Sequence, residues 1–418
     1  MRRAWPQLLR CCALAAALQS TAPPRSLYVH LPFCRRRCFY CDFPVVVAGE
    51  ASATRDRATA RYVDLLEHEM ASWDARAAPL DAVYLGGGTP SLVEPAHIRR
   101  LLDGVRGAVG VAEGAEVTIE CDPGTFDAEK LAAYVAAGVT RVSLGVQSFD
   151  DGVLEAAGRA HRRADALAAV AAVRAADLPH GWSLDLISGL PGLDGGLWRD
   201  TLAEALAFEP PHVSSYDLQV EAGTAFGRWY DDDGAKPSPA RPALPDEALA
   251  ADMYRDASRL LRGAGYWHYE ISSYARTPAR KAVHNALYWR PRASWLALGL
   301  GATSSAGGDR FTRPRAMADY EAWVAGGAAV GESDESDGAD WLLDELLTGL
   351  RTSDGVDLGR VRAEYGADAE AAVRRGAADA VAANLATLEG DALALADPDG
   401  FLFSNFALSS IFAALDDS

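Results

Sequence analysis

Between residues 26 and 220 the chain alternates six times between a short strand-like run and a stretch of helical length. The strand-like runs are "SLYVHL" (26–31), "DAVYLGGG" (81–88), "AEVTIE" (115–120), "TRVSLGV" (140–146), "WSLDLISG" (182–189) and "HVSSYDLQV" (212–220). Between them, residues 56–76 read as a helix with Val63, Leu66, Met70 and Trp73 on one face. Ser91 and Glu94 in "SLVE" read as a capping box opening the next helix. Further helices are expected at 127–136, after 146, and at 198–208. This rhythm implies parallel strands joined by right-handed crossovers. The expected architecture is α/β, a partial (βα)6 TIM-like barrel with its chemistry at the C-terminal ends of the strands. Periodicity alone leaves an open doubly wound sheet as the alternative.

Beyond the repeats, "DDDGAKPSPARPALPD" (231–246) is a Pro-rich loop, and "GESDESDGAD" (331–340) is an acidic linker. The expected organisation is a barrel over 26–230, an extension over 231–330, and a small, mainly helical C-terminal domain over 341–418. A hairpin is expected within that domain at 393–405. No run of eighteen apolar residues exists, so no membrane span is expected. A formal charge of −18 argues against a nucleic-acid groove, although a few local arginines suffice for a small anion.

The chain has six cysteines, and Cys34, Cys38 and Cys41 cluster in "CRRRCFYC". They do not form a disulfide pattern. Structural zinc takes four ligands, and His30 is positioned to complete such a set, but zinc ligands usually come in two separated pairs. Inert buried thiols are the bland reading. An iron–sulfur cluster fits better, because short loops of thiolates hold such clusters. Three thiolates on a four-iron cluster leave one iron open to a small molecule. Arg35, Arg36 and Arg37 favour thiolate forms and offset cluster charge.

The first 25 residues carry four arginines, and the first acidic residue is Asp42. This composition reads as an organelle transit peptide, with a secretory signal or a simple extension as rivals. A thiolate cluster needs a reducing compartment.

Several other residues fall where a ligand would sit. In "YLGGGTPSL", Gly86, Gly87 and Gly88 let a ligand approach bare backbone, although a tight strand-to-helix turn explains them equally well. Glu120, Gln147 and Asp185 lie near the C-terminal ends of successive strands, facing one barrel mouth. The carboxylates of Glu120 and Asp185 suit ribose hydroxyls or an ammonium. Singly, each is explained as a cap or a rim residue.

"CRRRCFYC" resembles the CxxxCxxC signature of radical S-adenosylmethionine proteins. That resemblance implies a 4Fe-4S cluster whose open iron binds the amino and carboxylate groups of S-adenosylmethionine. It also implies cleavage to methionine and a 5′-deoxyadenosyl radical. "LYVHLPFC", "YLGGGTP", "ECDP", "RVSLGVQSFDD", "GRAH", "LDLISGLPG", "HYEISSYAR" and "HNALYW" follow in order. Together they are similar to the subgroup of oxygen-independent coproporphyrinogen III dehydrogenase and the HemW-like haem chaperones. By that resemblance Tyr28, Gly86, Gly87, Gly88, Thr89, Glu120, Gln147, Arg159 and Asp185 contact the cofactor. The dehydrogenase resembles CxxxCxxCxC, whereas Phe43 stands at the last of those positions here. That departure, "HNALYW" (284–289) and "GLRTSDGVDL" (349–358) favour the chaperone branch.

The resemblance then implies haem as a further ligand, with His284 as candidate iron ligand and Tyr288 and Trp289 as aromatic surface. His268 and His161 are weaker candidates, and a satisfied packed histidine is the plain alternative. Also implied are a recipient haem protein, an electron donor such as a flavodoxin or ferredoxin, and peripheral membrane association. Active coproporphyrinogen III dehydrogenase and a zinc-binding interaction protein are the competing functions. Mitochondrion or plastid is the expected compartment, with cytoplasm as the alternative.

Overall fold

The structure, a computed structural model, describes residues 23–49, 52–73, 78–230, 241–306, 309–329 and 338–416. The 22-residue start of the expected transit peptide, Cys11 and Cys12 within it, and most of both expected linkers lie outside these residues.

Six parallel strands form the centre: β1 (Ser26–Leu31), β2 (Leu80–Gly87), β3 (Val111–Cys121), β4 (Arg141–Gln147), β5 (Gly181–Ser188) and β6 (His212–Asp217). They lie side by side in chain order. The crossovers carry helices α1 (Ser52–Met70), α2 (Pro95–Ala108), α3 (Ala128–Ala137), α4 (Arg163–Ala175) and α5 (Gly195–Ala207), and α6 (Glu247–Gly263) follows β6. This is the six-unit α/β arrangement expected from the sequence.

Strand alternation explains why it holds together. In β1, Leu27, Val29 and Leu31 are fully buried and share a core with Tyr62, Leu66 and Met70 of α1. Each such aliphatic side chain contributes about 1.5–3 kcal/mol. The alternate residues, Ser26, Tyr28 and His30, point to the other face of the sheet. Continued across the ladder, that face carries Tyr84, Thr118, Glu120, Ser143, Ser183, Asp185, His212 and Ser214. The barrel interior is therefore polar and its outside apolar. Aspartates cap several helices: Asp127, Asp194 and Asp246 each accept from a backbone N–H in the first turn. Each cap is worth about 1 kcal/mol, and these caps account for some of the acidic excess.

Several expected boundaries move. Helix α1 ends at Met70, leaving Trp73 half-buried beyond it. Ser91 does not cap α2, which begins at Pro95 with Glu94 at its N-cap. Ser91 sits instead in a 3-10 turn, where its Oγ accepts from the N–H of Asp122 at 3.0 Å. The expected extension is not a separate body. Its strand Leu296–Leu298 pairs with β1 in parallel, and its hairpin Trp267–Glu270/Ser273–Ala275 pairs with β6 antiparallel. It thus supplies both ends of a nine-stranded sheet.

The C-terminal region has its own core around Leu346, Leu350, Leu358, Val373, Phe401 and Ile411. Helices Gly338–Gly349, Leu358–Tyr365, Ala367–Ala382 and Ser404–Asp416 surround a three-stranded sheet. The hairpin lies at Ala386–Glu389/Ala392–Leu395, earlier than expected, because Asp399–Leu402 is helical. His268 joins this unit to the barrel, its Nδ1 lying 2.9 Å from Asp397 Oδ1 and its ring stacked on Tyr274.

Candidate functional site

At the C-terminal ends of the strands lies a cavity of about 430 Å³. Cys34, Cys38 and Cys41 line it together with Arg35, Arg36 and Arg37. The loop that carries them leaves β1 and is fastened at several points. Val46 N–H donates to Pro32 O (2.7 Å) and Ala48 N–H to Cys34 O (2.9 Å). Arg37 clamps the far side, with Nε donating to Cys41 O and Nη2 to Phe43 O, both at 3.0 Å.

Two donors point at the sulfurs. Thr89 Oγ1 lies 3.7 Å from Cys34 Sγ, and Arg159 Nη1 lies 3.5 Å from Cys38 Sγ. Arg159 is buried and held by two acceptors, Asp122 Oδ1 at 2.6 Å and Gly145 O at 2.9 Å. Burial pushes the Cys34 thiol up to about 12 and raises Cys41 as well. Their deprotonation is therefore coupled to the arrival of a cation, as thiolate metal sites require.

The glycine run has a tighter explanation than ligand approach alone. Gly87 has φ +118°, and a Cβ there would meet the His30 ring at 2.7 Å. A Cβ on Gly88 would meet the Pro32 carbonyl at 2.7 Å, and one on Gly86 would meet the rings of Tyr84 and Tyr28. Crowding against β1 thus demands all three glycines. Only Gly87 and Gly88 of the three face the cavity, together with Thr89.

Glu120 is held by two donors, Tyr84 OH at 2.8 Å and Gly87 N–H at 3.0 Å. Burial still pushes its carboxyl up to about 7. Asp185 accepts from Ser143 Oγ at 2.6 Å, and burial raises it too. Its Oδ1 has no hydrogen-bond partner, nor does the buried Oε1 of Gln147. Gln147 has φ +66° and follows a register shift between β4 and β5. Backbone in that region costs a non-glycine residue about 1 kcal/mol and is found where a side chain must be aimed. Buried polar atoms without partners are costly unless a ligand completes them.

These features fit the expected groups. Three thiols, a buried guanidinium and two unfilled acceptors surround one cavity. Cys34, Cys38 and Cys41 would hold a 4Fe-4S cluster. Glu120, Gln147 and Asp185 would offer acceptors to the ammonium and hydroxyls of S-adenosylmethionine. Among the described residues no three Cys, His, Asp or Glu side chains converge closely enough to hold a single ion. His30 does not join the cysteines as a zinc ligand would. Its Nδ1 accepts from Tyr28 OH (3.0 Å), and its Nε2–H donates to Pro44 O (2.8 Å).

Tyr28 lies apart from the main cavity and lines a second, smaller one. His284 also departs from expectation. It is buried, its Nδ1 lies 2.5 Å from Ser26 Oγ, and its Nε2 lies 3.0 Å from Tyr288 OH. Both nitrogens are engaged, so the ring as placed has no lone pair to offer haem iron. Tyr288 lines the second cavity, whereas Trp289 lines neither. His161 Nε2 bonds Val146 O, and His268 is taken by Asp397.

Sequence reasoning missed Asp122, Tyr84, Ser143 and Tyr40. Asp122 anchors Arg159, and Tyr40 OH lies 3.4 Å from Arg159 Nη1. Each lies inside a motif that carries the resemblance, Asp122 in "ECDP", Tyr84 in "YLGGGTP", Ser143 in "RVSLGVQSFDD" and Tyr40 in "CRRRCFYC", and that placement is the signal that could have found them.

Residues 28–205 match the Radical SAM superfamily, and residues 337–403 match the HemN C-terminal domain. Heme chaperone HemW of Synechocystis sp. is 39% identical, over 94% of this chain and 98% of its own length. Heme chaperone HemW of Escherichia coli is 37% identical over 67% of this chain and 70% of its own. The mitochondrial Radical S-adenosyl methionine domain-containing protein 1 of Bos taurus is 37% identical, over 68% of this chain and 62% of its own length. Among solved structures, coproporphyrinogen III oxidase (HemN) from Escherichia coli shares the fold, with a TM-score of 0.81 at 21% identity over 95% of this chain and 92% of its own. With the three-thiol cavity at the barrel mouth and 39% identity to the Synechocystis HemW along nearly the whole of both chains, the protein belongs to the heme chaperone HemW family of the radical SAM superfamily.

Proposed function

We propose that the chain is a haem chaperone that binds a 4Fe-4S cluster, S-adenosylmethionine and haem, and delivers haem to haem proteins. The observation that carries this reading is the three-cysteine cavity with Phe43, not a fourth thiol, at its rim, in a chain akin to HemW along its length. Cys34, Cys38 and Cys41 hold the cluster in this reading, and Thr89 and Arg159 donate toward its ligands. Glu120 and Asp185 take the cofactor's ammonium and hydroxyls, and Gln147 supplies a further acceptor. Held by Cys34, Cys38 and Cys41, a cluster would supply one-electron reducing power to the bound cofactor. The protein's own part is to exclude water, to fix the cofactor's orientation and to offset the cluster's charge with Arg159 and the arginine run. The likeness to HemN is one of fold, and Phe43 occupies the position where the dehydrogenase pattern has cysteine.

A one-electron donor such as a flavodoxin or ferredoxin is the expected partner, and the exposed Arg36 and Arg37 beside the cavity support an acidic one. No helix among the described residues is long and apolar enough to cross a membrane. Peripheral association with the membrane that holds recipient haem proteins is part of the reading. Placement in a mitochondrion or plastid is supported by the arginine-rich start and by relatives named mitochondrial, with cytoplasm as the alternative. The test is iron, labile sulfide and haem per chain after anaerobic reconstitution. One cluster and a Soret band from bound haem are expected. Conversion of coproporphyrinogen III to protoporphyrinogen, or one zinc with no iron, would replace the reading.

A further inference from the structure

Three serines on three neighbouring strands surround Asp185 inside the barrel. Ser183 precedes it by two residues on β5, Ser143 of β4 is the register partner of Ser183, and Ser214 of β6 is the register partner of Asp185. All three serines are buried, and Asp185 is 9% exposed. Ser143 Oγ donates to Asp185 Oδ2 at 2.6 Å and lies 2.9 Å from Ser183 Oγ. A hydroxyl has one proton to donate. Ser143 gives its proton to the carboxylate, so Ser183 is the donor between the two serines. The result is a directed relay, Ser183 to Ser143 to Asp185 Oδ2, in which each hydrogen bond polarises the next. Asp185 Oδ1 is left without a partner. Ser143 and Asp185 line the main cavity, whereas Ser183 and Ser214 do not. Burial raises the Asp185 carboxyl, and the hydroxyls of Ser143, Ser214 and Ser183 work against that rise together with the Arg141 guanidinium.

The torsion that turns a carboxylate about its last bond is soft, with broad wells. An aspartate without fixed donors would present either oxygen over a range of directions. The relay removes that freedom before a ligand arrives, so the ligand does not bear the cost of ordering the group. We propose that Ser143 and Ser183 are positioning residues that hold Asp185 by Oδ2 and so leave Oδ1 fixed to accept from a ribose hydroxyl of S-adenosylmethionine. One directed acceptor suits a hydroxyl, with its single proton, better than an ammonium with three. The proposal rests on the reading of this cavity as an S-adenosylmethionine site. It goes beyond that reading by assigning the acceptor to one oxygen and its orientation to two serines, one of them outside the cavity.

The test is equilibrium binding of S-adenosylmethionine and of its 2′-deoxy and 3′-deoxy forms to the full chain, reconstituted anaerobically and kept oxidised, read by isothermal titration calorimetry. Ser143→Ala should weaken S-adenosylmethionine about tenfold and Ser183→Ala about threefold, with iron per chain at the wild-type level. In the wild type, one of the two deoxy forms should bind about tenfold more weakly than the parent. In Ser143→Ala that penalty should shrink to about twofold, because the loosened carboxylate no longer meets the hydroxyl. A serine that only supports the fold would weaken all three ligands alike and leave the penalty whole. Should Ser143→Ala fail to fold, Ser183→Ala carries the same comparison, with the penalty reduced to about fivefold. An undiminished penalty in the variants, or equal wild-type affinity for all three ligands, overturns the relay and leaves the cofactor site standing. A wild type that binds no S-adenosylmethionine overturns the reading of the cavity as well.

Discussion

Arg159→Met tests whether a buried cation organises the cysteine site. The guanidinium is buried, donates to Asp122 Oδ1 at 2.6 Å and to Gly145 O at 2.9 Å, and points Nη1 at Cys38 Sγ from 3.5 Å. Methionine fills similar volume but leaves a carboxylate and a carbonyl without their donor. Breaking a fully buried pair costs about 3–5 kcal/mol. The Asp122 side chain is 29% exposed and recovers some hydration, which brings the expected loss to about 2 kcal/mol. Urea denaturation followed by circular dichroism reads that loss, and iron per chain after reconstitution reads the effect on the thiols. Arg159→Lys keeps the charge without the planar fork, so it should fall between wild type and Arg159→Met in both measurements. An Arg159→Met chain with unchanged stability, full iron content and unchanged S-adenosylmethionine affinity would refute the reasoning.

Three further outcomes follow from the same geometry. Cys38→Ala should abolish cluster iron, read as iron and labile sulfide per chain after anaerobic reconstitution; wild-type iron content in the variant would contradict this. Gly87→Ala should destabilise the chain by about 2–4 kcal/mol in urea, since alanine resists φ +118° and its Cβ would strike His30. Glu120→Gln should change the pH dependence of stability. Burial raises the folded carboxyl from 4.5 to about 7, so between those values the native chain keeps a proton that the unfolded chain has released. Its contribution is therefore fully present below pH 4.5 and is lost as pH rises to about 7. The variant should lack that decline in thermal denaturation from pH 5 to 8, and an identical slope in both proteins would dismiss the shift.

The strand–helix rhythm was legible because β1 to β6 each place apolar residues toward the helices at every second position, a local signal. The thiol loop was legible for the same reason, since Cys34, Cys38 and Cys41 are close in sequence. Asp122, Tyr84 and Ser143 were not, because their roles depend on neighbours 36 to 42 residues away in the chain. Arg159 became visible only through the family resemblance, as it lies 121 residues from Cys38 and looks like a surface arginine. The glycine run admits both a ligand opening and a tight turn in sequence, and only the fold shows the contacts with His30 and Pro32 that crowd it. "HNALYW" leaves His284 either a candidate iron ligand or a packed, satisfied histidine, because nothing in it announces that Ser26, 258 residues away, meets its Nδ1. The bulge that turns Gln147 into positive φ is flanked by Gly145, a signal that marks the irregularity without saying which residue takes the left-handed turn.

The central claim is that three cysteines grip a four-iron cluster and leave its last corner for a small molecule. Electron paramagnetic resonance of the reduced, reconstituted protein, recorded with and without S-adenosylmethionine, addresses it directly. A 4Fe-4S signal whose g-values shift when the cofactor is added is the predicted result. A signal indifferent to the cofactor, or no cluster signal at all, would contradict it.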